Sequence, residues 1–424
     1  MANEPQRPQS AVSAATGLVG LVGVLVAYLW IMDRDLNAAQ APLALIAGAA
    51  LPMLLWTVLV ERSHQASGLS REPVRSIDEA KTSTRTKLIG LWSTWALILF
   101  VYFLARYDER AEMEVFYYYI RTFGPLLVAL SIPYVYFVDR RMAEHRDGLW
   151  HWGQFVCGRW DTVRWSMLKD YWLGWTVKGF FLAFLMAGLP SMVKLMVEMP
   201  IEGRLTDPIA LTNFLVRFAY LIDVTIAVVG YTMTLRLLNT HIRSTNPHLT
   251  AWIAALSCYA PFLVMGEGGP LDYRAHHQSW EVWLAGNDVM LWVWGLSITA
   301  LTALYAWATV IFGLRFSNLT HRGIITNGPY RYFRHPAYFA KNLSWWLVYM
   351  PFLSTAGTSD AIRACLLLGL VNLIYVARAL TEERHLKTDP DYVAYLNWIR
   401  ENGLLERLFS RPTRQRAGDT VRQS

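Results

Sequence analysis

Apolar runs about as long as a membrane is thick recur along this chain, separated by short polar stretches. A helix rising 1.5 Å per residue needs roughly 17 to 25 apolar residues to cross a hydrocarbon core about 30 Å thick. Ten runs fit that length or approach it: 11–32, 41–60, 88–105, 122–138, 171–193, 212–235, 251–265, 289–313, 337–353 and 361–380. The seventh and ninth are short, and they read as re-entrant or paired segments. The first run has only Arg7 as a basic flank and is followed by further spans, so it is not read as a cleaved signal. The pattern predicts an all-α polytopic membrane protein with about ten transmembrane helices.

Composition agrees. Of the 424 residues, 54% are apolar and 17% charged, with a mean hydropathy of +0.25, whereas a soluble domain carries about 25% charged residues. The 19 Trp and 21 Tyr suit the aromatic belts at headgroup depth. Cys157, Cys258 and Cys365 have no paired spacing, which argues against a disulfide framework or a zinc site. The net charge of +7 is dispersed between apolar segments. It points to anionic membrane lipids rather than to nucleic acid.

Lys and Arg also orient the chain, because short loops rich in them stay cytoplasmic. The loops after even-numbered spans hold 18, and those after odd-numbered spans hold seven. Both termini are therefore expected in the cytoplasm. Three regions are expected: N-terminal membrane helices over 1–250, with an interfacial Trp- and Arg-rich segment at 139–170; a second membrane domain over 251–402; and a mobile basic tail over 403–424.

Several signals carry little. Gly266, Gly268 and Gly269 have no preceding strand, so they read as a turn rather than a dinucleotide fingerprint. No His or Cys spacing suggests a metal cage. Lys178, Arg217 and Asp223 lie inside apolar runs, where charge is costly and faces a partner or a wet cavity. Asp223 is expected to meet Lys178.

The densest chemistry is the segment Thr326-Asn327-Gly328-Pro329-Tyr330-Arg331-Tyr332-Phe333-Arg334-His335-Pro336-Ala337-Tyr338, followed by Lys341 and Asn342. Asn-Gly-Pro enforces a turn, and Pro336 can open a helix whose free amides and positive end suit an anionic group such as a carboxylate. A second cluster follows the last span: Arg378, Glu382-Glu383-Arg384-His385-Leu386, Tyr392 and Tyr395. Its carboxylates accept from hydroxyl or ammonium groups. Parity places both clusters on one face, where they could close around a ligand with an anionic end and a hydroxyl- or amine-bearing end.

Together these motifs resemble the isoprenylcysteine carboxyl methyltransferase and phospholipid methyltransferase group, over roughly residues 322–402. The resemblance implies a helical membrane enzyme that binds S-adenosylmethionine on the cytosolic side and takes a lipid or lipid-linked acceptor from the bilayer. Carried over by motif, His335 and Tyr338 hold the methionine portion of the cofactor and Glu382 and Glu383 its other polar groups. Gly328, Tyr330, Pro336 and Asn342 complete the cofactor set. Arg334 or Arg400 would steer an acidic acceptor, and His385 would serve as base for an amine or hydroxyl. Trp398 stands where the isoprenylcysteine enzymes usually have Arg, with Arg400 two residues later. Two other readings remain: an NADPH-dependent reductase of the sterol reductase type, and a non-enzymatic transporter or scaffold.

Overall fold

The computed structural model describes residues 6–199, 205–404 and 407. The tail expected at 403–424 lies outside them except for Gly403, Leu404 and Arg407. Thirteen α-helices account for most of the described residues. They are α1 (Ala14–Met32), α2 (Gln40–Leu55), α3 (Ile77–Leu104), α4 (Glu114–Arg141), α5 (Gly148–Val156), α6 (Trp165–Val197), α7 (Pro208–Thr232), α8 (Leu249–Leu256), α9 (Trp280–Trp283), α10 (Asp288–Val310), α11 (Pro336–Tyr349), α12 (Thr358–Leu386) and α13 (Pro390–Asn402). Two short strands, β1 (Ser244–Thr245) and β2 (Thr320–His321), pair antiparallel.

Local sequence explains many of the helix starts. Ser76 and Glu79 form a reciprocal capping box on α3. Side chains of Ser13, Asp147, Asp207, Asn287 and Asp389 accept the first free amides of α1, α5, α7, α10 and α13. Pro208, Pro336 and Pro390 sit in first turns, where the missing N–H is no loss.

Eight helices are long and apolar enough to span a membrane: α1, α2 with its π-helical continuation to Val60, α3, α4, α6, α7, α10 and α12. Eight of the about ten expected spans are these helices, and the two short runs are built differently. In the seventh, α8 stops at Leu256, and the chain continues in turns through Pro261, Gly266, Gly268, Gly269 and Pro270. That stretch still travels the length of α12, because Tyr259 lies beside Arg378, and Arg363 donates to the carbonyls of Asp272 and Ala275. In the ninth, α11 has 14 residues, or about 21 Å. It ends at Met350, whose φ of 40° precedes Pro351, a position where proline disfavours helix.

α7 is the most buried span and packs against α1, α2, α6 and α10. Its core residues include Leu221, Ile226 and Val229. α1 and α2 approach at small residues: a Cβ on Gly23 would lie 1.9 Å from the Gly48 carbonyl oxygen, the close backbone contact that membrane helix pairs use. Outward faces carry exposed Leu29, Leu59, Phe103, Leu366 and Leu373, as lipid contact requires.

The stretch 139–170 is divided among the end of α4, the nine-residue α5 packed on α3, a 3-10 turn and the start of α6. Trp160 and Trp165 there remain 64% exposed, which suits an interfacial anchor. The expected Asp223–Lys178 pair does not form. α7 packs on α10, so Asp223 accepts from Tyr305 (2.6 Å) and Thr309 (2.5 Å), while Lys178 donates to Thr234 at 2.6 Å. Arg217 makes no ion pair with Asp223 among the described residues.

Candidate active site

The loop joining α10 to α11 is built around one buried guanidinium. Arg322 donates through Nε to the Thr240 carbonyl (2.7 Å), through Nη1 to Gly230 (2.9 Å) and Phe316 (2.8 Å), and through Nη2 to Leu314 (2.8 Å) and Met233 (3.4 Å). Two of these carbonyls belong to the C-terminal turn of α7, whose negative dipole end favours a cation. Burial still pushes the Arg322 pKa down to about 9, so it remains charged at neutral pH. The N-terminal segment covers the same loop: Ala11 N–H donates to Ile324 (2.8 Å), Thr326 to Pro8 (2.8 Å) and Asn327 to Val12 (2.8 Å).

Beside the clamp, His241 is pushed down to about 4, first by burial and then by Arg236, Arg243, Arg315 and Arg322. An unfolded chain takes up this proton near 6.5, so between 6.5 and 4 the unfolded state binds more protons and folding weakens. The neutral ring's contribution is complete above about 6.5 and is lost as pH falls toward 4. The melting temperature of detergent-purified protein is expected to drop between pH 7 and 5, and less steeply in His241→Asn. Equal slopes would remove His241 from the account.

The turn that follows requires glycine. Gly328 has a φ of 55°, and a Cβ there would lie 2.6 Å from the Ile311 side chain. From this turn the chain enters α11 at Pro336, which then packs antiparallel to α12. Trp346 Nε1 donates to Asn372 Oδ1 at 2.8 Å, Asn372 donates to Asn342, and Asn342 donates to the Tyr338 carbonyl at 2.7 Å.

This register brings the two motifs together. Tyr338 donates its hydroxyl to Glu382 Oε2 at 3.1 Å, and His335 Nε2 hydrogen-bonds Glu383 Oε1 at 3.1 Å. The His335 and Tyr338 rings stack 5.6 Å apart and nearly parallel. Arg334 and Lys387 approach Glu383 at 3.8 Å and 3.7 Å. One turn before Glu382, the Arg378 guanidinium lies 5.1 Å from the Tyr338 ring centre and donates to Asn318 at 3.2 Å. Lys341, one turn along α11 from Tyr338, lies over Tyr305 and Trp345.

Two cavities meet at Tyr338. A narrow pocket of about 50 Å³ is lined by Asn246, Asn318, Arg378, Thr381, Glu382 and His385. A groove of about 640 Å³ is lined by His335, Asn342, Trp346, Asn372 and Tyr375, with half-exposed Phe339, Leu343 and Val376 along its side. The groove thus couples hydrogen-bonding amides to aromatic faces and touches the lipid-facing side of the hairpin.

The remaining sequence candidates lie further out. Gly328 shapes the turn, and buried Pro336 opens α11. The Tyr330 ring packs on Phe312 while its carbonyl accepts from Tyr395 at 2.7 Å, so Tyr330 supports the loop without lining either cavity. His385 faces away from the His335 pair and hydrogen-bonds Ser244 at 2.9 Å, yet it lines the narrow pocket. Arg400 is exposed on α13 and lines neither cavity. Sequence reasoning missed Asn246, Asn318, Asn372 and Tyr375. Only Asn372, an amide within an apolar run, carried a usable signal.

No curated protein and no solved structure matches the chain. Residues 290–388, which hold every candidate above except Arg400 and the Asn246 side of the pocket, match the model of the isoprenylcysteine carboxyl methyltransferase (ICMT) family. The C-terminal part of this multi-pass membrane protein is therefore similar to that methyltransferase family over the matched residues.

Proposed function

We propose that the chain transfers a methyl group from S-adenosylmethionine to a lipidic or lipid-linked acceptor drawn from the bilayer, at a site facing the cytoplasm. The observation that carries this reading is the meeting of His335 and Tyr338 with Glu383 and Glu382 at the head of the α11–α12 hairpin. The donor set fits an amino-acid end. Arg378 offers a guanidinium to a carboxylate, and Glu382, one turn on, offers a carboxylate to an ammonium. When bound, S-adenosylmethionine supplies a methyl group on a sulfonium.

The protein's own part is alignment, since displacement at a sulfonium disperses charge and gains most from fixed geometry. Glu382 orients the Tyr338 ring, and Glu383 holds the His335 ring parallel to it. The groove beyond Tyr338 gives an apolar chain a route from the hydrocarbon, past Phe339, Leu343 and Val376. The cytoplasmic assignment rests on the excess of Lys and Arg in the loops at this end of the bundle. Residues 8–12 and α13 both pack at that same end, α13 through Tyr395 and the residues just after it through the Leu404 N–H bond to the Tyr332 carbonyl.

The test is incubation of purified protein with methyl-labelled S-adenosylmethionine and a lipid extract. Mass analysis should find label in a chloroform-soluble species heavier by one CH2. Label confined to water-soluble products would overturn the lipidic acceptor.

A further inference from the structure

A cavity of about 710 Å³ lies between α4, α6 and the loop after α7, almost entirely outside the family-matching residues. Only His385 and Thr388 of its lining belong to the matched segment. Its two walls differ in chemistry. One is apolar, with Val135, Val138 and Met142 from the α4 side and Met167 from α6. The other presents Lys178, Arg236, His241 and Arg243.

Among the described residues, none of Lys178, Arg236 and Arg243 has a carboxylate within ion-pair distance. Lys178 is spent only on the Thr234 hydroxyl and lies over the Trp175 ring at 4.9 Å. Arg236 Nε, His241 Nδ1 and Thr245 Oγ1 are buried with no hydrogen-bond partner among the described residues. At the far end, Lys87 pairs with Asp139 (2.8 Å) and Asp147 (3.1 Å), and Arg75 with Asp139 (3.1 Å), so that corner is neutralised internally. Asp170 is the one further acid in the lining. Lys178 and Arg236 are partly buried while Arg243 is exposed; partly buried cations without counter-charges are costly, and anchoring at the headgroup layer asks only for exposed ones.

We infer that this cavity binds the anionic oxyanion head of an amphiphile, a phosphate or carboxylate, with its hydrocarbon portion against the α4 wall. Arg236 offers planar donors to such a group and Lys178 a point charge. His241 is held neutral first by burial and then by Arg236, Arg243 and two further arginines. The Ser244–His385 hydrogen bond joins the cavity to the narrow pocket, because both residues line the cavity and His385 lines both. An amphiphile held here lies one side chain away from the pocket of Arg378 and Glu382.

The probe is radiolabelled oleoyl lysophosphatidate, titrated onto full-length protein in uncharged detergent without S-adenosylmethionine. Saturable binding is expected. It should weaken at least tenfold in Arg236→Met and in Lys178→Met, and several-fold in Arg243→Met, an exposed position that leaves folding intact. Lys194→Met, in an exposed pair with Glu198, should bind normally. Oleoyl lysophosphatidylcholine should compete poorly, and inorganic phosphate only at far higher concentration. Equal binding by the Arg243 and Lys194 variants, or equal competition by the choline lipid, would overturn the site. Displacement by phosphate at matching concentration would overturn the amphiphile. Because no methyl donor is present, binding without later transfer counts against the enzyme reading alone.

Discussion

Glu382→Gln is expected to lower affinity for S-adenosylmethionine by at least ~30-fold, with a matching fall in methyl transfer. Removing one member of a buried, hydrogen-bonded charge pair costs about 2 to 5 kcal/mol, and about 2 kcal/mol already corresponds to ~30-fold. The amide keeps the length of the side chain and can still accept from Tyr338, so the ring stays in place. What is lost is the negative charge one turn from Arg378, and with it the partner for an ammonium. Tyr338→Phe should be milder, since it removes a hydroxyl and spares the charge. Titration of labelled cofactor onto detergent-purified variants reads both effects. An unchanged affinity in Glu382→Gln would show that the carboxylate does not face the cofactor.

Arg322→Ala is expected to cost about 3 to 5 kcal/mol of stability, the range for breaking a buried charged contact. Proteins have about 5 to 15 kcal/mol in total, so the loss is roughly a third or more of a typical reserve and the variant should melt well below the parent. The guanidinium serves carbonyls of Gly230, Met233, Thr240, Leu314 and Phe316 at once. Its loss orphans acceptors on both sides of the joint between α7 and the site loop, and an unmade buried hydrogen bond costs more than a made one contributes. Arg322→Lys should fall between the two, because an ammonium has three donors against five. Melting of the detergent-solubilised variants checks the order, and an Arg322→Ala melt equal to that of the parent would contradict it.

Neither partner set was equally visible in the sequence. The eight long spans follow from apolar run length alone, because a bilayer imposes that length directly. Runs seven and nine are short for separate reasons: the 251–265 run leaves its helix at Leu256 and turns through Pro261, and the 337–353 run is helical but stopped by Pro351. Both still carry the chain between the two ends of the bundle, as composition suggested, without being long helices. That the 326–342 and 378–386 clusters meet was legible, because the hairpin register aligns the start of one helix with the end of the other; their direct His335–Glu383 and Tyr338–Glu382 bonds come from the structure.

His385 was not, although helix geometry explains it afterwards. Two residues beyond Glu383, it points about 200° away around α12 and so reaches Ser244 instead of His335. The Asp223–Lys178 pairing failed for a similar reason, since neighbouring spans need not face each other at matching depth. Arg322 gave no sign of its role. In sequence it counts as one more positive charge in a loop, and its carbonyl partners on α7 and at Thr240 are 82 to 92 positions away.

The central claim, that the head of the α11–α12 hairpin grips a sulfonium donor, is tested most directly by equilibrium binding of labelled S-adenosylmethionine and, in parallel, labelled NADPH to the unmodified protein. The account predicts saturable, single-site binding of S-adenosylmethionine that unlabelled S-adenosylhomocysteine displaces, with no saturable binding of NADPH. Saturable NADPH binding, with S-adenosylmethionine unable to compete for it or to bind by itself, would contradict the account and favour a reductase.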